Sequence, residues 1–273
     1  ATLLAPLVEG ERLLALAHDD GKMAVSAQRK GGEFVLSGEK RSVLSAPGAD
    51  TLLVTARMGE GATGVFAVPR DAKGLTVNGY ALAHGARAAD LSLKDVVVPA
   101  AAWLGNNDRV QDAIAMAIDR AIVALSADAV GAMAAMVEAT VAYTKTRVQF
   151  GRPIAQFQAL QFRMVDMKVA EEESRASCLL ATLSLDGPAA QRSRAVSGAK
   201  AKIGRSARAV HQAAIQLHGA IGTTQELSLG AYAKRLLAYE ALFGTTREHL
   251  RRYAAMIADP AVASAGLLHE AQA

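Results

Sequence analysis

The chain has 273 residues, 51% of them hydrophobic but only 4% aromatic, and a net charge of +4. That length supports one large or two modest domains with a real core, and an Ala-rich, aromatic-poor composition favours close-packed helices over an all-β fold. Lys and Arg alternate with acids and form no long basic run, which argues against nucleic-acid binding, while the single Cys178 excludes an internal disulfide and fits a reducing cytoplasm.

The opening Ala1-Thr-Leu-Leu-Ala-Pro-Leu-Val-Glu9 has neither an initiating Met nor the basic start of a secretory signal, so the chain reads as processed or as part of a longer polypeptide. Residues 1–105 predict a β domain. Apolar or alternating runs cover Leu13–Ala17, Met23–Arg29, Phe34–Ser37, Arg41–Leu44, Thr51–Ala56, Val65–Val68, Leu75–Val77 and Leu91–Val98, punctuated by Gly31-Gly32, Gly38, Pro47-Gly48 and Lys73-Gly74. This spacing predicts a small antiparallel barrel or sandwich. His18, Asp19 and Asp20 share one turn, and with no second cluster to complete a shell they read as a solvated turn and not as a metal site.

In residues 106–258 the apolar period becomes helical, predicting a bundle of four long helices. Ala113 to Val137 is apolar almost all round, as a core helix would be. No uninterrupted apolar run reaches bilayer-spanning length. The second helix, Ala155 to about Ser184, carries Glu171-Glu172-Glu173 as solvated surface and Cys178 as a small buried residue. Asp186-Gly187-Pro188 stops it, the third helix runs from Ala189 to Leu217, and the fourth from Ser228 to Met256. Residues 259–273 read as a tail. The fold expected is therefore α+β.

The junction of the first two helices is the richest stretch. Gly151 and Pro153 end one helix and the next starts almost at once, so the pair packs antiparallel. Lys145 and Arg147 fall in the last turn, where a lone basic residue balances the helix dipole. Phe150, Phe157, Gln158 and Gln161 crowd the same corner. Rings, amides and a guanidinium together suit an anionic aromatic ligand.

This stretch, Arg147-Val-Gln-Phe-Gly-Arg-Pro-Ile-Ala-Gln-Phe-Gln-Ala-Leu-Gln161 with Asp166-Met167 beyond, resembles the signature of the acyl-CoA dehydrogenase family, and Gln216-Leu-His-Gly-Ala-Ile-Gly222 resembles the family's second C-terminal motif. The small subunits of bacterial two-chain enzymes of the pimeloyl-CoA dehydrogenase type are similar. The resemblance implies a middle β domain and a C-terminal four-helix bundle, with the family's N-terminal helical domain absent from these residues. It implies FAD as cofactor, held by Arg147, Phe150 and Gln158, with Gln216 and Gly219 approaching it from the neighbouring subunit and with Thr245 and Ser45 as further contacts. It implies an acyl-CoA thioester as substrate, an electron-transfer-flavoprotein-like acceptor, and a homo- or hetero-oligomer, a tetramer built as a dimer of dimers.

The flavin end departs from the family pattern: Ser42 stands where a Trp usually packs, and Leu44 where a hydroxyl usually reaches the ring. The usual base positions fall on Phe243 and Ala121, neither of which takes a proton. Glu240, one helical turn before Phe243, is the first substitute and Asp119 the second. The alternative is a catalytically degenerate partner that completes a neighbour's FAD site.

Overall fold

The computed structural model describes residues 3–59, 62–105 and 109–258, so the expected tail lies outside them. The chain divides into two compact units, Ala1–Gln111 and Asp112–Ala273.

The first unit begins with a short helix α1 (Leu4–Val8) and continues as eight strands: β1 (Leu14–Ala17), β2 (Ser26–Lys30), β3 (Glu33–Leu44), β4 (Thr51–Arg57), β5 (Thr63–Pro69), β6 (Leu75–Ala81), β7 (Arg87–Pro99) and β8 (Trp103–Leu104). They form one sheet in the order β6-β7-β3-β2-β4-β5-β8, with β1 on β4. Two findings correct the antiparallel barrel. β1 runs parallel to β4, as does the single Ser26–Arg57 pairing of β2 with β4. Among the described residues the sheet is mixed and does not close. The runs 34–37 and 41–44 are one strand, because period-two alternation carries Phe34, Leu36, Gly38 and Lys40 to the buried face without a break. The strand is irregular between Lys40 and Val43, where Ser42 takes φ 50°. Phe34 anchors the core edge-on to Phe66 and Trp103, with centroids 5.1 and 5.4 Å away.

The second unit is helical: α2 (Val110–Thr146), α3 (Gln158–Leu183), α4 (Ala189–His218), α5 (Leu229–Ala241) and α6 (Thr246–Ala258). Between α2 and α3 lies a minimal ribbon, β9 (Val148–Gln149) with β10 (Arg152–Pro153). The expected fourth helix is two, broken at Leu242–Thr245. Helix α4 packs on α3, α5 and α6. Helix α2 contains an 18-residue window of mean hydropathy 1.6, long and apolar enough to cross a membrane, against the expectation that no segment is. Half of that window is buried within the chain, and Asp119 and Ser126 inside the helix hydrogen-bond to α4 and α5. Those polar contacts fit the core helix of a helical unit. Glu171 also departs from expectation: it is fully buried, paired with Lys168 and Arg175, and Glu173 pairs with Lys202 on α4. Cys178 is buried and free, and burial pushes its thiol pKa up.

Candidate functional site

Helix α2 ends at Thr146, one residue before Arg147. The Arg147 amide still donates to the Tyr143 carbonyl at 2.8 Å, so Arg147 is the C-cap and its side chain is exposed. Phe150 and Gly151 then take φ 54° and 76°, the double left-handed geometry of a two-residue hairpin turn. That turn leaves Phe150 90% exposed, an unusual state for a Phe. Its ring meets Phe157 edge-on at 6.0 Å, and the Arg152 guanidinium lies 4.2 Å over Phe157. Gln161 donates to the Ala155 carbonyl at 2.9 Å, while Gln158 opens α3 and is exposed.

The second motif lies at the same end of the unit. His218, the last residue of α4, stacks on Tyr143 with centroids 4.5 Å apart and planes at 23°. Gly219 caps the helix with φ 67°. The Tyr143–His218 stack thus ties the helix end that carries Arg147 to the loop that carries Gly219. Gln216, one turn back, lines a groove of about 430 Å³ between α3 and α4 with Arg163, Asp166, Met167 and Gln212. This end offers an exposed guanidinium, a bare aromatic ring, amide side chains and a glycine-capped helix terminus.

The expected base Glu240 is half-buried. It accepts from the Thr246 amide at 3.0 Å and from the Thr246 hydroxyl, capping the start of α6. Thr245 and Glu248 form a reciprocal cap on the same helix: Glu248 Oε2 accepts from the Thr245 amide at 2.6 Å and hydroxyl at 2.9 Å, and Thr245 Oγ1 accepts from the Glu248 amide at 3.2 Å. The Thr245 amide bond holds the Glu248 carboxyl below the usual range. Asp119 is buried in α2. It accepts from Arg192 Nε at 3.0 Å and Ser193 Oγ at 3.1 Å, with Arg252 Nη1 at 3.9 Å. Arg120 pairs with Asp186 instead of with Asp119.

In the first unit, Ser45 is exposed with φ 61° and opens a turn of 3-10 helix; its amide donates to the Arg87 carbonyl. The Ser42 amide donates to Asp90, and Tyr80 donates to the Ser42 hydroxyl at 3.2 Å. Among the described residues no group of three or more His, Cys, Asp or Glu side chains is placed to hold a metal, at the His18 turn or elsewhere. Lys40 fills the place instead, its ammonium bonding Asp20 at 2.6 Å, Thr55 at 2.8 Å and the His18 carbonyl at 3.2 Å. Burial lowers the pKa of both Lys40 and His18, Asp20 opposing it at Lys40 and Asp19 at His18. Lys40, Lys200 and His249 escaped sequence reasoning. The available signal was position: Lys40 falls on the core-facing register of β3, and α4 bears six Lys and Arg with no acid, more than one solvated face accounts for.

Residues 18–96 match the acyl-CoA dehydrogenase middle domain and residues 111–258 the acyl-CoA dehydrogenase C-terminal domain. The chain belongs to the acyl-CoA dehydrogenase family. A probable acyl-CoA dehydrogenase of Bacillus subtilis (strain 168), YngJ, is 34% identical over 243 residues, which cover 82% of this chain and 63% of that protein. The solved structure of PigA with FAD and proline matches with TM-score 0.88 at 25% identity, over 94% of this chain and 70% of that one. The ChsE4–ChsE5 complex from Mycobacterium tuberculosis matches with TM-score 0.85 at 25% identity, over 93% of this chain and 68% of that one. The chain thus spans about two thirds of the length of its relatives.

Proposed function

We propose that this chain works as an FAD-binding subunit in α,β-dehydrogenation of an acyl-CoA thioester, in an oligomer that passes electrons to an electron-transfer-flavoprotein-like acceptor. The observation that carries the reading is the convergence of both motifs at one end of the helical unit, joined by the Tyr143–His218 stack. The groups there fit the adenosine diphosphate part of FAD. The exposed Arg147 guanidinium matches pyrophosphate oxygens, the uncovered Phe150 ring offers a face to a flat heterocycle, and Gln158 and Gln216 supply amide partners. Gly219 lets a ligand approach the backbone. When bound, FAD supplies the two-electron acceptor for the thioester's α,β bond. Thr245 and Ser45 are the further contacts in this reading. The family relation, together with the PigA structure solved with FAD, supports the cofactor.

A second reading concerns the proton, and a specific observation favours it. Removing an α proton needs a carboxylate free to accept it. Both Glu240 oxygens are engaged in capping α6, and Asp119 is buried under Arg192. The chain then completes the FAD site of a neighbour that brings its own base. The ChsE4–ChsE5 relative, a complex of two named chains, is consistent with such a division. The test is the assembly purified with its partner chain. Flavin is counted per chain from the visible spectrum, and turnover is compared for Glu240→Gln and for loss of the partner's own carboxylate. Unchanged turnover in Glu240→Gln supports the accessory role; a fall of about two to four powers of ten with flavin retained returns the base to this chain.

A further inference from the structure

The break between α5 and α6 is held by side chains that the proposed chemistry leaves unused. Phe243 sits at φ 54° and Gly244 at φ 96°. A left-handed Phe is costly and persists only where its surroundings enforce it. The turn of the chain at Phe243 also ends the helical ladder. The Leu242 amide still reaches the Ala238 carbonyl at 3.0 Å, and the helix stops at Ala241.

Two buried side chains, the Lys200 ammonium from α4 and the His249 imidazole from α6, bond carbonyls of this corner. Lys200 on α4, 0% exposed, donates from Nζ to the Tyr239 carbonyl and lies 3.8 Å over the Tyr239 ring. His249 on α6, also fully buried, bonds the Phe243 carbonyl at 2.8 Å through Nε2 and Ser197 at 3.3 Å through Nδ1. One turn along α4 from Lys200, Gly204 leaves the space for Glu240 and Thr246: a Cβ there would sit 2.9 Å from Glu240 Oε2 and overlap the Thr246 hydroxyl. Burying an ammonium without a direct carboxylate partner is costly, so a purely structural site would favour an apolar side chain.

We propose that Lys200 is a positioning residue whose ammonium, with the His249 imidazole, clamps the α5–α6 corner and so fixes where Phe243 and Thr245 stand. The clamp itself is independent of the functional reading; its effect on cofactor rests on Thr245 being a flavin contact. The groups facing Lys200 are Tyr239 and Glu240 from α5 and Glu248 and His249 from α6, with Ser126 of α2 reached through the Tyr239 hydroxyl. Burial lowers the Lys200 pKa to about 8, against the pull of Glu240 and Glu248, so the clamp titrates in an accessible range.

The test uses the full chain in its assembly, with tyrosine labelled by 13C at the carbonyl. The Tyr239 resonance is expected to shift with a midpoint near pH 8, to lose that titration in Lys200→Met, and to stay near its low-pH position in Lys200→Arg, which keeps a donor that does not titrate. Flavin retention is expected to fall about tenfold in Lys200→Met and to recover in Lys200→Arg, the size of one charge-assisted hydrogen bond. A Tyr239 carbonyl that neither titrates between pH 7 and about 11 in the unmodified protein nor moves in Lys200→Met or, should that variant fail to fold, in Lys200→Gln overturns the clamp. A titrating carbonyl with flavin retention unchanged in Lys200→Met upholds the clamp and removes Thr245 from the cofactor site.

Discussion

Arg147 and Asp119 look alike in sequence, each a charged residue in a long helical stretch with a basic residue close by, and the structure separates them by exposure. Arg147 is exposed at the C-cap of α2, where its interaction with the helix dipole is worth about 0.3–1 kcal/mol. A desolvated guanidinium–pyrophosphate contact is worth about 1.5–3 kcal/mol. Arg147→Ala is therefore expected to weaken FAD binding by about tenfold or more while the unfolding midpoint barely moves. Unchanged flavin affinity in an equilibrium titration of the correctly assembled variant would remove Arg147 from the cofactor site. Asp119 predicts the reverse. It is the buried anion between Arg192 and Arg252, and taking one partner from such a group typically costs about 3–5 kcal/mol. Asp119→Asn is expected to lower the urea midpoint sharply, with any loss of activity following loss of fold. A variant of native stability with turnover abolished would instead make Asp119 a catalytic group.

At the scale of elements, the α5–α6 corner shows what a sequence discloses and what it hides. The apolar period from Ser228 to Met256 is continuous enough to predict one helix. The break is written locally all the same, in Gly244 followed by Thr245-Thr-Arg-Glu248, a stop signal and then a capping box. Thr245→Ala is expected to cost about 0.5–2 kcal/mol, measured by urea unfolding, and Glu248→Ala should add less than its own cost on top, because the two share one cap. Fully additive losses would mean that the reciprocal hydrogen bonds contribute nothing. The helix ends at Arg147 and at His218 were legible for the same reason, since Gly, Pro and polar caps act within a few residues. What brings those two ends together was not, because a Tyr143–His218 stack joins residues far apart in sequence that carry no mutual signature. The sheet repeats the lesson. Its strands follow from alternation, but the parallel pairing of β1 with β4 depends on the path of the chain between them, and Lys40 interrupts the apolar pattern of β3 because a buried lysine looks like a surface one until Asp20 and Thr55 are found around it.

At the scale of the whole molecule, two properties follow from what the helices leave uncovered and from what they bury. Helix α3 exposes Phe162, Val165 and Val169 and then Leu179, Leu180 and Leu183, two apolar groups at helical spacing on one face with Glu172 between them. So much apolar area on one helix is rare on a monomer, and light scattering at micromolar concentration is expected to give a mass well above the 28.4 kDa of one chain. A clean monomer would count against it. The second property is acid lability. His249 is fully buried, and burial, with Lys200 and Arg252 nearby, lowers its pKa to about 4 although the Phe243 carbonyl pulls the other way. In the unfolded chain the same imidazole titrates near its ordinary value of about 6.5. Between these values the unfolded state binds the extra proton, so stability is full above about pH 6.5 and declines as pH falls towards 4. One such group removes roughly 2 kcal/mol by pH 5. Carboxylates add their own loss below that, so the measurement is a comparison: urea midpoints at pH 7.5 and 5.0 for the parent and for His249→Gln, which keeps an amide donor for Phe243 and cannot be protonated. The variant starts less stable, and its midpoint is expected to change less between the two pH values. If both proteins lose the same stability, the imidazole titrates alike in the folded and the unfolded chain and His249 is not the source of the acid response.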